Sequence, residues 1–279
     1  VEALRLGAYQ MLFLDKIPHS AAVNASVELT RKHCKNPRAA GMVNGILRNL
    51  ERSLDSLPAI PRENPVSYLS VLYSHPEWLV EEFLTALGSE ETARLLAANN
   101  SQAPITAMAN TTKTTVEGLA EALAEEGVTA RPHPWLADCL ILSKTGNLER
   151  LAAFRDGLFY VQDPASKLAA LALDPKPDMQ VLDCCAAPGG KSFACAIRME
   201  GRGEVISCDL HPHKKKLIQA GADRLGLENI TPMTADGKAF RPEWASAFDR
   251  VLVDAPCSGL GVIRKKPDIR YKDSKALAG

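Results

Sequence analysis

From Asp156 onward, short apolar runs ending near an Asp alternate with stretches of helical periodicity, and this alternation narrows the possible folds more than any other feature. Val181-Leu182-Asp183 reads as the end of a strand and Lys191 to Met199 as a helix. GEVISCDL (203–210) reads as a second strand, KKKLIQAGADRLGL (214–227) as a second helix and DRVLVDAP (249–256) as a further strand. Such alternation predicts an α/β fold, a parallel sheet with helices on both faces, because parallel neighbours need a helix-length return between them. Ligands of these sheets bind beyond the carboxyl ends of the strands. The loops after residues 183, 208 and 253 are therefore expected to share one rim.

The preceding part of the chain reads differently. In RAAGMVNGILRNLER, Met42, Val43, Ile46, Leu47 and Leu50 recur at three- and four-residue steps, the pattern of an amphipathic helix. Two earlier helical segments, Leu4 to Leu14 and Ala21 to His33, are punctuated by Ile17-Pro18-His19 and Lys35-Asn36-Pro37. Residues 1–57 thus read as an all-α bundle, and 58–65 as a Pro-rich linker within SLPAIPRENP (56–65). Residues 66–155 read as an α+β subdomain: helices in PEWLVEEFLTAL and SEETARLLAANN, then a strand, a helix and a strand in APITAMANT, TVEGLAEALAEEG and CLILS. Residues 156–279 form the Rossmann-like part. A length of 279 residues suits two or three such units.

Composition restricts function further. With 33 basic and 33 acidic residues the net charge is zero, so charge alone does not coat nucleic acid, although a local basic groove is compatible with it. No apolar run approaches the length of a membrane span, and no membrane partner is expected. The seven cysteines form no CxxC pair, which speaks against a metal site. The first residues read as a helix already in progress rather than an export signal, so a start inside a longer protein and a reducing cytoplasm are expected.

The turn VLDCCAAPGGKSFACA (181–196) admits two adenosine-bearing ligands. A nucleoside-triphosphate loop needs Gly six residues before the Lys of Gly190-Lys191-Ser192, and that position is Cys185. VLVD (251–254) would pass as the accompanying magnesium strand, but any buried parallel strand ending in Asp does so. An S-adenosylmethionine site fits with nothing missing. Cys185, Ala186, Ala187, Pro188, Gly189, Gly190 and Lys191 form a turn whose glycines let backbone approach the cofactor. Asp209 falls where a carboxylate accepts both ribose hydroxyls, and Asp236, in ENITPMTADG, within reach of the adenine amino group. Taken singly, Asp209 reads equally as a helix cap and Asp236 as a turn former before Gly237. Their order and spacing favour the cofactor.

DAPCSGLGVIRKKPDIRYK (254–272) carries the expected chemistry. A lone Cys is more often a small buried hydrophobe, but Cys257 sits in a rigid Pro-Cys-Ser-Gly turn on the predicted rim. Cytosine C5 is a poor nucleophile until a thiolate adds at C6, so a methyltransferase for pyrimidine carbon needs a thiol in its mechanism. Enzymes that methylate adenine nitrogen carry an Asn/Asp-Pro-Pro-aromatic tetrad there, and this chain has Asp-Ala-Pro-Cys. Arg264, Lys265, Lys266, Arg270 and Lys272 follow, read either as a solvated face or as phosphate contacts without sequence preference. HPHKKK (211–216) carries the same two readings.

CAAPGGK (185–191), Asp209, Asp236-Gly237, DAPCSGLG (254–261) with RKKPDIRY, and GLFYVQDPAS (157–166) together resemble the RNA cytosine-5 methyltransferases. LRLGAYQMLFLDKIPHSAAVNASVEL and RAAGMVNGILRN are similar to the antitermination-factor (NusB-like) helical RNA-binding domain. The resemblance implies a Rossmann-like S-adenosylmethionine-dependent domain, incomplete at its C-terminus, after an α+β subdomain and a NusB-like bundle incomplete at its N-terminus. It implies S-adenosylmethionine held by 185–191, Asp209, Asp236 and Asp254, and 16S ribosomal RNA, in the small subunit or an assembly intermediate, bound by a monomer. Lys191 and Asp254 would hold and polarise the base, and Cys257 would assist product release. The family's nucleophile lies in a later Thr-Cys motif, and no Thr-Cys follows Cys257 before Gly279. An RNA-binding protein that keeps the fold only as a scaffold is the alternative; it would have no use for a thiol beside a methyl donor.

Overall fold

The computed structural model describes residues 1–272, and these divide into two compact units, the first Val1–Val80 and the second from Glu81 onward. In the first, α1 (Glu2–Phe13), α2 (His19–His33) and α3 (Ala39–Arg52) bury Met11, Ala22, Val23, Val27, Val43 and Leu47 among themselves. The predicted bundle is present. The short helix α4 (Pro65–Tyr73), not foreseen from the sequence, opens on Asn64, whose side-chain oxygen accepts from Val66 N at 2.9 Å and Ser67 N at 3.1 Å. Pro at its first position removes a donor that would have had no partner there. The two helices expected on either side of residue 88 are present within α5 (Glu77–Asn100), separated by a break where Gly88 adopts φ 76° and ψ 175°.

The second unit contains two sheets. The smaller is antiparallel, in the order β2 (Thr129–Pro132), β3 (Cys139–Ser143), β1 (Ile105–Ala109), β4 (Phe159–Val161). Helix α6 (Val116–Glu125) starts at Thr115, whose hydroxyl accepts from Gly118 N at 3.1 Å. It packs Leu119 and Leu123 on one face of this sheet, against Ala107, Ala109, Leu140, Leu142 and Phe159. After the one-turn helix α7 (Ala152–Arg155), β4 corrects the sequence reading, which assigned residues from 156 to the Rossmann-like part. Instead it pairs with β1, Met108 opposite Tyr160. Neither β4 nor β2 has the length or alternation that marks a strand in isolation, and β2 ends in Pro132.

The larger sheet is all parallel, in the order β7 (Ile230–Thr234), β6 (Glu204–Asp209), β5 (Gln180–Asp183), β8 (Arg250–Leu252). The expected alternation is thus present, with β8 shorter than the 249–256 read from the sequence. Val181, Val205 and Ile230 point to one face and pack with α8 (Pro164–Leu173), α9 (Gly190–Arg198) and α10 (Pro212–Leu225). Leu182, Ile206, Cys208 and Met233 point to the other, which Trp244 and Phe248 cover. The expectation of helices on both faces is therefore corrected: among the described residues no α-helix joins this second cluster. The reason is topological. Right-handed crossovers from β5 to β6 to β7 run in one direction and place their helices on one side. The return to β8 reverses direction and reaches the other side, but the only helix residues 235–249 carry is a single 3-10 turn at Pro242–Trp244.

The two sheets share a core. Met108, Cys139 and Tyr160, from the face of the small sheet opposite α6, belong to the same buried cluster as Phe193, Ala222 and Leu225. Three polar ties cross this junction. The fully buried Asn110 amide donates to Gly157 O at 3.0 Å and Leu225 O at 2.8 Å. Arg224 donates to Phe154 O and Phe159 O, at 2.5 and 3.0 Å. Buried Lys167 pairs with Asp138 at 2.7 Å. Asn110→Ala leaves two interior carbonyls without those donors and is expected to cost about 2–3 kcal/mol; a denaturant midpoint equal to that of the parent chain would contradict it.

Candidate functional site: a rim at the carboxyl ends of the parallel strands

Strand register brings the candidate residues together. Asp183, the last residue of β5, lies opposite Ser207 of β6 and Leu252 of β8. Beyond these ends the chain turns at 184–189, at Asp209–His211 and at 253–259, so three loops open on one edge. Cys184 N donates to Leu252 O at 2.9 Å and Ala186 N to Cys208 O at 2.8 Å, anchoring the first loop to strands on both sides. That loop ends in a tight turn, Gly189 N to Ala186 O at 2.7 Å, with Gly189 at φ 115°, a conformation side-chain-bearing residues avoid. A Cβ at Gly190 would stand 3.1 Å from the Gln162 amide. Gly189 is therefore required by the backbone path and Gly190 leaves room for the Gln162 side chain, and this bare-backbone cradle fits a closely approaching cofactor.

Each sequence-identified acid has a definite environment. Asp209 is nearly buried at the end of β6; its Oδ1 accepts from His211 N at 3.2 Å and lies 3.5 Å from Lys214 Nζ. It therefore supports the turn before α10, whose N-cap is His211 with no side-chain cap, rather than capping the helix as the alternative reading had it, and it stands on the rim. Asp236 is exposed after β7 and accepts from Lys238 N at 2.9 Å, which is the turn-forming role. Asp254 is 56% exposed beyond β8, and its Oδ2 lies 2.5 Å from Nζ of the largely buried Lys191. Lys191 thereby bridges the first loop and the third.

Cys257 is exposed in the third loop. The other cysteines of this half behave as packing: burial pushes the Cys195 thiol up to about 12 and the Cys208 thiol up to about 11. Burial, followed by the charges of Asp183, Asp209 and Asp254, raises half-buried Cys185 as well. The five basic residues separate into two groups. Arg264 donates to Gln102 O at 2.8 Å, Lys265 pairs with Asp163 at 2.8 Å, and buried Arg270 donates to Pro267 O at 3.1 Å and to Asn100 Oδ1 at 2.9 Å. These three hold the segment to the protein, while Lys266 and Lys272 are exposed.

Sequence reasoning gave no role to Asp183, read only as a strand end. It is 1% exposed and accepts from Ser192 Oγ at 2.8 Å, directly beneath the loop. Ser192 therefore orients a buried acid; its position in a Gly-Gly-Lys-Ser tetrad had suggested a phosphate ligand. Burial outweighs that hydrogen bond and raises the Asp183 carboxyl from 3.8 to about 6. A carboxyl with a raised native pKa binds more protons folded than unfolded between those values, so its contribution to stability declines as pH rises from 4 to 6. Asp183→Asn, which keeps an acceptor for Ser192, is expected to gain ~3 kcal/mol relative to the parent across that window and hold it above pH 6. Denaturation series at pH 4, 5, 6 and 7 test this; a pH-independent difference would refute it.

The parallel order 7-6-5-8, with a glycine turn after β5 and an acid closing β6, defines a Rossmann-like methyltransferase domain, preceded in the chain by a NusB-like helical domain. Three family models match in succession: the NusB family over residues 1–52, the ferredoxin-like domain of RsmF/B-like methyltransferases over 75–149, and 16S rRNA methyltransferase RsmB/F over 170–277. By these matches the chain is similar to the RsmB/F methyltransferases over most of its length. It is 43% identical to a probable ribosomal RNA small subunit methyltransferase B of Bacillus subtilis, across all of this chain and 63% of that protein. It is 35% identical to a ribosomal RNA small subunit methyltransferase B of Vibrio cholerae, across 95% of this chain and 59% of that protein. The chain thus spans about three-fifths of the length of these relatives. The crystal structure of PH0851 superposes with a TM-score of 0.77 at 28% identity, covering 99% of this chain and 62% of that one.

Proposed function

We propose that this chain holds the cofactor and the target base in an S-adenosylmethionine-dependent transfer of methyl to C5 of a cytosine in 16S ribosomal RNA. The observation that carries the reading is the rim itself: a glycine cradle after β5, a nearly buried carboxylate at the end of β6, and a Lys–Asp pair reaching from the cradle to the loop with an exposed thiol. The names of the relatives support ribosomal RNA as the substrate.

In this reading residues 185–191 supply backbone along the cofactor, Asp209 accepts the ribose hydroxyls and Asp236 faces the adenine from its turn. S-adenosylmethionine supplies the methyl group as an electrophile. A cytosine becomes a match for it only after a thiolate adds at C6, which interrupts the ring and makes C5 electron-rich. Asp254, oriented by Lys191, is suited to accept a hydrogen bond from the exocyclic amine of the base and so to hold it in place. After transfer a general base takes the C5 proton, the electrons of that bond form the C5–C6 double bond, and the C6–sulfur bond breaks with its electrons returning to sulfur, which restores aromaticity. Cys257 assists this last stage; the attacking thiolate is not assigned to it. Lys266 and Lys272 contact phosphates, and the base is splayed from its helix for access.

The reading is tested by calorimetry. S-adenosylmethionine is expected to bind this chain, and Asp209→Ala to weaken binding by ~10-fold or more through loss of a charge-assisted hydrogen bond. ATP with magnesium should give no heat. Binding of ATP in place of S-adenosylmethionine would return Gly190-Lys191-Ser192 to the phosphate-loop account.

A further inference from the structure

The ring of Phe193 lies in a slot that two glycines leave open. A Cβ placed on Gly189, in the cofactor turn, would run into its ring, and so would a Cβ placed on Gly221, in the middle of α10. Gly189 has a backbone reason to be glycine, its φ of 115°. Gly221 has none: it sits inside a regular helix, where glycine is a poor choice, and the ring is what its missing side chain accommodates. On a further side Tyr160 of β4 meets the ring edge-on, centroids 5.9 Å apart at 83°. Phe193 is also tied to the turn through its backbone, its N–H donating to Gly189 O at 2.8 Å. One buried side chain is therefore clamped by three elements, and one of them is the turn proposed to carry the cofactor.

We propose that Phe193 is a positioning residue for that turn, transmitting the placement of α10 and of the small sheet's strand β4 to the Gly189–Gly190 backbone and so setting affinity for S-adenosylmethionine. The proposal rests on the cofactor reading above. An aromatic ring has two side-chain torsions and packs as a rigid plate, so a displacement on its α10 edge is passed to its Gly189 edge rather than absorbed. Gly190, the next residue of the turn, has a second neighbour: Gln162, two residues after Tyr160 on the same chain segment, lies 3.1 Å from where its Cβ would stand. The turn is thus set against a ring and an amide. Neither residue belongs to the rim of Asp209, Lys191 and Asp254, and neither needs to touch the ligand to act on it.

Gly221→Ala and Phe193→Leu test this as singles and together, with S-adenosylmethionine affinity read by calorimetry and the melting temperature of the ligand-free chain read beside it. Alanine favours the helix at 221, so Gly221→Ala by itself should push the ring and weaken binding ~10-fold, while Phe193→Leu removes the distal ring atoms and weakens it ~5-fold. The double variant should bind no more weakly than Phe193→Leu alone, because the ring that clashed is absent. Losses in the double that multiply, or a Gly221→Ala chain with parental affinity, would overturn the proposal. Should Gly221→Ala fail to fold, Phe193→Leu still decides: unchanged affinity in a folded variant overturns it. If the parent chain itself binds no S-adenosylmethionine, it is the cofactor reading that fails.

Discussion

The pairing of β5 with β6 on one side and β8 on the other is the constraint on which the site depends. Residues far apart in sequence reach one edge because parallel register aligns Asp183 with Ser207 and Leu252, and the chain can then only turn outward at the same level. The hydrogen bonds of Cys184 and Ala186 to carbonyls of β8 and β6 extend that alignment one step into the loop. The rim therefore needs little adjustment within the loops themselves. Its electrostatics also follow from β5: a carboxyl at the end of an interior strand is desolvated, and Ser192 gives it one donor without offsetting burial.

The parts of the protein legible in its sequence are those whose signal is local and repeated. Helices α1, α2, α3, α6, α9 and α10 carry periodicity over several turns, and β5 and β6 are apolar runs between turn residues. The rim acids were found because strand ends are where such folds bind, a rule that needs only element order. What escaped is what depends on distant partners. β4 has three residues and is a strand only because β1 lies beside it. α8 is the exception, since its opening is local: Asp163 caps Ala165 N with Pro164 in first position, inside GLFYVQDPAS (157–166). Asp183 looked like punctuation because burial of a carboxyl cannot be seen without the sheet around it. Arg264, Lys265 and Arg270 looked like a solvated or RNA-facing run, and no sequence rule pairs them with Gln102, Asp163 and Asn100.

The coverage of the second face makes the same point from topology. Alternation of strands and helices predicts layers, but which layer a helix joins depends on the direction of each crossover. Two crossovers in one direction leave α9 and α10 together, and Trp244 with Phe248 does by aromatic packing what a helix would do on the other side. β8 is an edge strand of the four described, and Val251 within it and Val253 just beyond it are exposed.

Strand β1 is buried on both faces: Ala107 and Ala109 look toward α6, and Met108 looks into the interior of the larger sheet's helical layer. The family models for the two halves stop at residue 149 and resume at 170, and the stretch between them holds β4 and the start of α8. That stretch is the seam, and it is sewn from both sides by Asn110, Arg224 and Lys167. Replacing either half alone would therefore set a new surface against an old interior, and the two halves form one cooperative body rather than two exchangeable parts.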